Sequence, residues 1–270
     1  IPFVLDDNQI NAQTEALFAR VEAEITSAEI CSAPSTTLRD MGSIAYALDL
    51  ADISCLENLD EDAVAALGGL SGWDTDKRRE FVKRYMLKSN IADHQALTDT
   101  HLVILGHFIG GLYPEDIKKI SPAAYLDAAA VIGTLESMPL PSLQALAYVA
   151  RQKGAYGDPQ SWDNAIFAEL GIVLGGMSGE HLADVDPDNM EGWHTDGIAH
   201  LPQEELQKLR VEQLRAMSRE QALAVPRDVR PQLSTAQLHA LQEAEAGGDG
   251  SDAEYLYDGQ GPSQGARVST

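Results

Sequence analysis

Residues 30–67 can be laid on residues 109–146 without a gap, at one constant spacing (109 − 30 = 79). Tyr46 then meets Tyr125, Ile53 meets Ile132, Leu56-Glu57 meets Leu135-Glu136, and Ala66-Leu67 meets Ala145-Leu146. A further copy begins at a second spacing (170 − 105 = 65), where Leu170-Gly171, Gly175-Gly176, Glu180 and Pro187 repeat Leu105-Gly106, Gly110-Gly111, Glu115 and Pro122. A segment that recurs in this way has an apolar face that only its neighbours can cover, so the repetition predicts a stacked array. Such arrays present surfaces and seldom carry out chemistry.

Helix signals fill the repeats. Ala, Leu, Glu and Gln are abundant, β-branched alternation is scarce, and Pro or Gly punctuates the apolar runs. The reading is all-α, an α-solenoid of short helices of armadillo or HEAT type over residues 1–245. A first helix is expected from Asp6 or Asp7, carrying Ile10, Leu17, Phe18, Val21 and Ile25 inward. Ser121-Pro122 predicts a cap with proline in the first turn, and Asp186-Pro187 repeats the device. Ser142 is expected to open the next helix. The pairs Gly68-Gly69, Gly110-Gly111 and Gly175-Gly176 read as helix stops in left-handed geometry. Ser218 with Gln221, and Ser234 with Gln237, match the capping box.

After Ala246 the composition shifts to Gly, Asp, Ser and Gln through Thr270, an acidic tail with little apolar surface to bury. Its Tyr255 and Tyr257 sit among acids in Glu254-Tyr255-Leu256-Tyr257-Asp258. They belong to a solvated tail or to a docking or tyrosine-modification site.

Acidic residues outnumber basic ones by 42 to 19, giving a net charge of −23 that would repel phosphate backbones. Nucleic acid and anionic membrane surfaces are poor partners for such a chain. No stretch approaches the roughly 20 apolar residues of a membrane span. The chain opens at Ile1-Pro2 with neither an initiator Met nor an apolar signal segment, which predicts a piece processed from a longer precursor. Cys31 and Cys55 lie in one repeat copy, opposite Gly110 and Thr134 in the next. Either they form an optional disulfide staple in an oxidising compartment, or they are two buried free thiols.

Catalytic motifs do not assemble. Gly69-Leu70-Ser71-Gly72-Trp73 and Gly176-Met177-Ser178-Gly179-Glu180 approach the hydrolase elbow, yet each lacks its final glycine and neither follows a strand. The seven histidines include His94 and His101 but no metalloprotease or Cys/His cluster, so no enzyme and no cofactor are expected. Asp184, Asp186 and Asp188 occupy positions one, three and five of a calcium loop. Position six is then Asn189 rather than Gly and position twelve Thr195 rather than Glu, so a helix cap at Asp186 competes with calcium there. Trp73, Trp162 and Trp193 fall in or near the repeat turns and are candidates for a partner-binding face, in competition with core packing between layers.

The run Leu105-Gly106-His107-Phe108-Ile109-Gly110-Gly111-Leu112-Tyr113-Pro114-Glu115-Asp116-Ile117-Lys118-Lys119-Ile120 resembles the repeat of the mesothelin, stereocilin and otoancorin family. So does the ladder Leu201-Pro202-x-Glu204-Glu205-Leu206 through Ser218-x-Glu220-Gln221-Ala222 and Val225-Pro226. The likeness covers roughly residues 2 to 245, and the family often places cysteines where Cys31 and Cys55 stand. It implies a superhelical helical stack on extracellular or cell-surface proteins, used in adhesion and in anchoring acellular gels. The chain departs from it in having no Asn-x-Ser/Thr acceptor and no lipid-anchor signal at its end. The expected role is a secreted or cell-surface adhesion or matrix-assembly module. Its expected partner is a glycoprotein, a mucin-like polymer or another copy of the chain. An intracellular armadillo or HEAT-type scaffold that binds peptides is the alternative.

Overall fold

The computed structural model describes residues 27–247. The helix expected from Asp6 or Asp7, and the Tyr255 and Tyr257 island, lie outside the described residues. Among the described residues every regular element is an α-helix or a 3-10 turn, with isolated bridges from Lys153 to Ala155 and Tyr156, so the chain is all-α.

The spacing of 65 is repeated element by element. Helix Thr75–Lys88 recurs as Leu140–Ala150, turn His94–Ala96 as Pro159–Ser161, helix Asp99–Leu105 as Asn164–Leu170, and turn Gly106–Gly111 as Gly171–Gly176. The two shorter helices of this set start from equivalent caps. Thr98 accepts the His101 N–H at 3.4 Å, and Asp163 accepts the Ile166 N–H at 3.0 Å, each satisfying one orphan amide of its first turn. Both helices stop at a glycine in the left-handed region, Gly106 at φ +50 and Gly171 at φ +52, where a side chain would be strained. At the spacing of 79 the match is looser. Helix Pro122–Gly133 is continuous, whereas its counterpart is split into turn Gly42–Ala47 and helix Leu50–Cys55. The split falls where Asp49 caps a new helix start, accepting the Asp52 N–H at 2.8 Å, and the second copy has Ala128 there instead.

The glycine pairs have a different cause from the one expected. Gly69 is right-handed at φ −68, and none of the three pairs is left-handed. Their second or first member instead lets two backbones touch. A Cβ on Gly111 would lie 2.4 Å from the Arg78 carbonyl carbon, and one on Gly176 would lie 2.1 Å from that of Leu143, the same contact one repeat later. Gly68 likewise meets the Leu105 oxygen at 2.5 Å, and Gly133 meets the Glu169 oxygen at 2.2 Å. Ser142 does not open a helix either. Leu140–Ala150 starts after Pro139, and buried Ser142 points its hydroxyl at the Gly110 carbonyl at 3.4 Å.

Packing follows chain order in two rows. One runs through helices Ser35–Asp40, Glu61–Gly68, Asp99–Leu105, Pro122–Gly133, Asn164–Leu170, turn Pro187–Gly192, and helices Val211–Ala216 and Thr235–Glu245. The other runs through Ser27–Cys31, Leu50–Cys55, Thr75–Lys88, turn Gly106–Gly111, Leu140–Ala150, turn Gly171–Gly176, Thr195–Ala199 and Arg219–Ala224. Leucines and aromatics fill the space between the rows: Phe81 stacks on Phe108 at 4.4 Å, and Trp162, Phe167 and Trp193 follow at 5.6 and 5.7 Å.

Three buried glutamines tie successive layers together. Gln213, Gln221 and Gln237 each sit three residues after a helix N-cap, and each Oε1 accepts the N-cap N–H. Their Nε2 groups donate backward: Gln213 to Leu182 and Val185, Gln221 to Met190 and Trp193, and Gln237 to Gln207 and Leu209, all at 2.7–2.9 Å. Those carbonyls end the elements of the preceding layer, so each amide satisfies one layer's starts and another's stops.

Candidate interaction surface

Helix Thr75–Lys88 holds six basic residues against two acidic ones, reversing the charge of the chain around it. Half of those bases face the first layer. Lys77 donates to the Tyr46 carbonyl at 2.8 Å, while Arg84 and Lys88 donate to the Leu56 and Glu57 carbonyls just past helix Leu50–Cys55. Cations at helix C-termini are favourable because the last carbonyls are unpaired and carry the negative end of the dipole. Cys31 and Cys55 close the same layer as a disulfide, and Glu57 N–H donates to the Cys31 carbonyl at 2.9 Å. Arg78 is buried beneath Gly110 and Gly111 without a carboxylate partner, donating to the Ser71 carbonyl at 2.8 Å, and burial pulls its pKa down.

The far side of this helix borders an open groove of about 530 Å³. Val82, Met86, Ile91 and Leu112 floor it, Leu87 and Tyr113 stand at its edge, Arg79, Lys83 and Asp116 supply its charge, and His94 completes its polar lining. Leu87 is 69% exposed, the highest value for a large apolar side chain among the described residues, and Tyr113 is 56% exposed. The Arg79 guanidinium covers the Tyr113 ring at 4.5 Å and bonds Asp76 at 2.9 Å. Apolar side chains this exposed in one hollow mark an interaction surface rather than a chemical site. A second hollow of similar size lies between Ser35, Asp60, Tyr85, Lys88 and His101, three of whose polar groups are already engaged. Asp60 accepts the Ala63 N–H at 2.9 Å, Lys88 serves Glu57, and His101 Nδ1 accepts the Thr98 N–H at 3.1 Å.

The residues singled out in the sequence are dispersed. Trp73, Trp162 and Trp193 are all buried, so they fill gaps between layers and offer no face to a partner. Trp73 Nε1 donates to the Leu67 carbonyl at 2.8 Å, and Trp162 Nε1 to the Tyr156 carbonyl at 3.3 Å. The calcium candidate does not come together. Asp186 caps turn Pro187–Gly192 by accepting the Asp188 N–H at 3.0 Å, Asp184 accepts from Gln160 at 3.2 Å, and among the described residues no three His, Cys, Asp or Glu side chains gather as a metal site. Ser178 caps helix Gly179–Ala183, and the Ser71 carbonyl accepts from Arg78. Tyr255 and Tyr257 lie outside the described residues.

Two histidines are biased toward the neutral form. His107 Nε2 lies 3.2 Å from the Glu136 N–H, which can only donate, so the ring proton sits on Nδ1 and is given to the Gly68 carbonyl at 3.0 Å. Burial, with Arg78 nearby, lowers the pKa of His107 despite the opposing pull of the Gly68 carbonyl. His181 Nε2 lies 2.8 Å from Arg151 Nη1, and burial together with that guanidinium lowers its pKa too.

The groove was missed in the sequence because Leu87 and Tyr113 fit a helical periodicity as well as core residues do. The detectable signal was in the repeat: one spacing of 65 later their counterparts are Gln152 and Ser178.

No protein-family model matches the chain. It is similar to human otoancorin, 31% identical over 205 residues that make up 76% of this chain and 17% of otoancorin. Mouse stereocilin is 26% identical over 211 residues, again 76% of this chain and 11% of stereocilin. The chain therefore spans less than a fifth of the length of these relatives. No helix among the described residues is long and apolar enough to cross a membrane.

Proposed function

We propose that this relative of otoancorin and stereocilin is a member of their family and works as a non-enzymatic extracellular or cell-surface adhesion module. The described helices up to residue 245 form one superhelical helical-repeat body, followed in sequence by the acidic stretch 246–270. The body presents surface to an extracellular glycoprotein, a mucin-like polymer or another copy of itself. The observation that carries this reading is the Cys31–Cys55 disulfide, which ties helix Ser27–Cys31 to helix Leu50–Cys55 and persists only where the medium is oxidising. The same disulfide weighs against the intracellular armadillo or HEAT-type scaffold. The two rows of capped short helices support the reading as well, because they turn nearly all their leucines inward and leave an outer surface for recognition.

The test is display of the full chain on mammalian cells that do not adhere to one another. Increased retention on extracellular matrix or on like cells, with no free thiol after denaturation without reductant, is the expected result. Two titratable thiols in the native protein, with adhesion unchanged from undisplayed cells, would sink it.

A further inference from the structure

We propose that the groove edged by Leu87 and Tyr113 receives the acidic, tyrosine-bearing segment 249–258 of a second copy of this chain. The inference rests on the adhesive reading and names its partner.

The repeat itself shows that the fold does not require this groove. At the spacing of 65, Met86 and Asp116 correspond to Arg151 and His181, and Leu87 and Tyr113 to Gln152 and Ser178. In that later copy Arg151 reaches His181 at 2.8 Å and bridges the equivalent space. Met86 and Asp116 cannot form such a bridge, and Asp116 turns instead to Lys119 at 2.7 Å and His94 at 3.4 Å. One copy is thus closed by a polar pair, while the other is left open with apolar side chains on its edge. Exposing Leu87 and Tyr113 has a solubility cost that packing does not explain.

Charge and composition select the occupant. The lining carries Arg79 and Lys83, bases whose only acidic partners on their helix are Asp76 at 2.9 Å and Glu80 at 3.1 Å, in a chain of 19 bases and 42 acids. Segment 249–258 places Asp249, Asp252, Glu254 and Asp258 around Tyr255-Leu256-Tyr257 and contains no base. Its apolar triplet suits the floor of Val82, Met86, Ile91 and Leu112, and its carboxylates suit Arg79 and Lys83. Aromatic anchors within a charged rim are the usual make-up of a binding hot spot.

A second copy must supply the segment. From helix Thr75–Lys88 the row passes through Gly106–Gly111, Leu140–Ala150, Gly171–Gly176, Thr195–Ala199 and Arg219–Ala224 before helix Thr235–Glu245. In a row that does not curl back on itself, six steps at about 8–10 Å each exceed the ~27 Å that the chain from Gly247 to Tyr255 spans at full extension. The docking therefore runs from the tail of one copy to the front of the next, a heterologous contact that propagates.

The experiment uses the full chain, the chain lacking 249–258, and a fluorescent peptide of residues 249–258. Sedimentation velocity should show self-association of the full chain that rises with concentration, weakens with added salt, and disappears in the deletion. The peptide should bind the deletion chain, with affinity reduced at least about tenfold by Leu87→Ser or Lys83→Glu, both exposed positions. Equal self-association with and without 249–258, or peptide binding indifferent to both substitutions, overturns the proposal. Adhesion of displayed cells that survives the deletion also overturns it while leaving the adhesive reading intact. Peptide binding that is lost in both groove variants, alongside absent adhesion, supports the groove and removes the reading.

Discussion

Gln221 reaches back across a layer to Trp193, its Nε2 donating to the Trp193 carbonyl at 2.7 Å while its Oε1 accepts the Ser218 N–H at 2.8 Å. One side chain thereby completes its own helix start and a turn end 28 residues behind it. The device recurs at Gln213 and Gln237, which reach Val185 and Leu209 at the same separation. Glutamate would complete the helix start equally well, since a capping box needs only the acceptor. Only the amide also has hydrogens to give, so the choice of Gln at these positions is set by the layer beneath.

Gln221→Glu should therefore destabilise the chain by about 3 kcal/mol or more at neutral pH, because a buried carboxylate would face the Met190 and Trp193 carbonyls with nothing to donate. Gln221→Met should cost less, since it leaves bonds unmade without burying charge. Urea denaturation followed by circular dichroism measures both. A Gln221→Glu midpoint equal to that of the parent chain would show that the interlayer bonds carry no stability.

Stability should fall as pH drops below the range of a free histidine, about 6.5. His107 is held neutral in the folded chain, its pKa lowered by burial and by Arg78, so in that window the unfolded chain takes up a proton that the folded chain refuses. The contribution is fully present above about 6.5 and is lost as pH falls from there toward the lowered folded value. His107→Gln keeps a donor for Gly68 and an acceptor for Glu136 but does not titrate, so its unfolding free energy should change less between pH 7.5 and 5.5. Parallel pH profiles for the two proteins would assign the acid sensitivity elsewhere, with His181 the next group to test.

The architecture was legible because it is written in local chemistry. Thr98 and Asp163 cap equivalent helices, Gly106 and Gly171 end them, and the Ser218 and Ser234 capping boxes form as the sequence implies. What one sequence hides is which atoms meet across layers. Gly111 reads as a helix stop until Arg78 is found against it, and Trp193 reads as either a layer filler or a partner-facing aromatic until its burial is seen. Leu87 has the opposite problem, since its helical periodicity is that of a core residue although it faces solvent.

Reduction should act locally. The Cys31–Cys55 bond joins residues 24 apart, and constraining a loop of that length stabilises by about 3 kcal/mol in the chain-entropy picture. Backbone amides of helix Leu50–Cys55 should exchange faster after reductant is added, while those of helix Pro122–Gly133, several layers away, should keep their protection. Hydrogen exchange with mass spectrometry reads both. Uniform loss of protection along the chain would instead mean that the stack unfolds as one unit.

Gly111→Ala and Gly69→Ala separate close approach from helix termination. At Gly69 an added Cβ finds its nearest neighbour, the Ala66 oxygen, at 3.4 Å, and the backbone is right-handed, so the substitution should shift stability by no more than about 0.5 kcal/mol. At Gly111 the same methyl would stand 2.4 Å from the Arg78 carbonyl carbon and 2.4 Å from the Arg79 nitrogen, inside a contact that no side-chain rotation relieves. Turn Gly106–Gly111 would have to move off helix Thr75–Lys88, costing about 1–3 kcal/mol or more. Gly176→Ala should behave like Gly111→Ala, because it presses on Leu143 in the same way one repeat later. Thermal melts of the three variants decide the matter: if Gly69→Ala proved the costliest, the pairs would be helix stops after all, and the backbone contacts between the rows would be incidental.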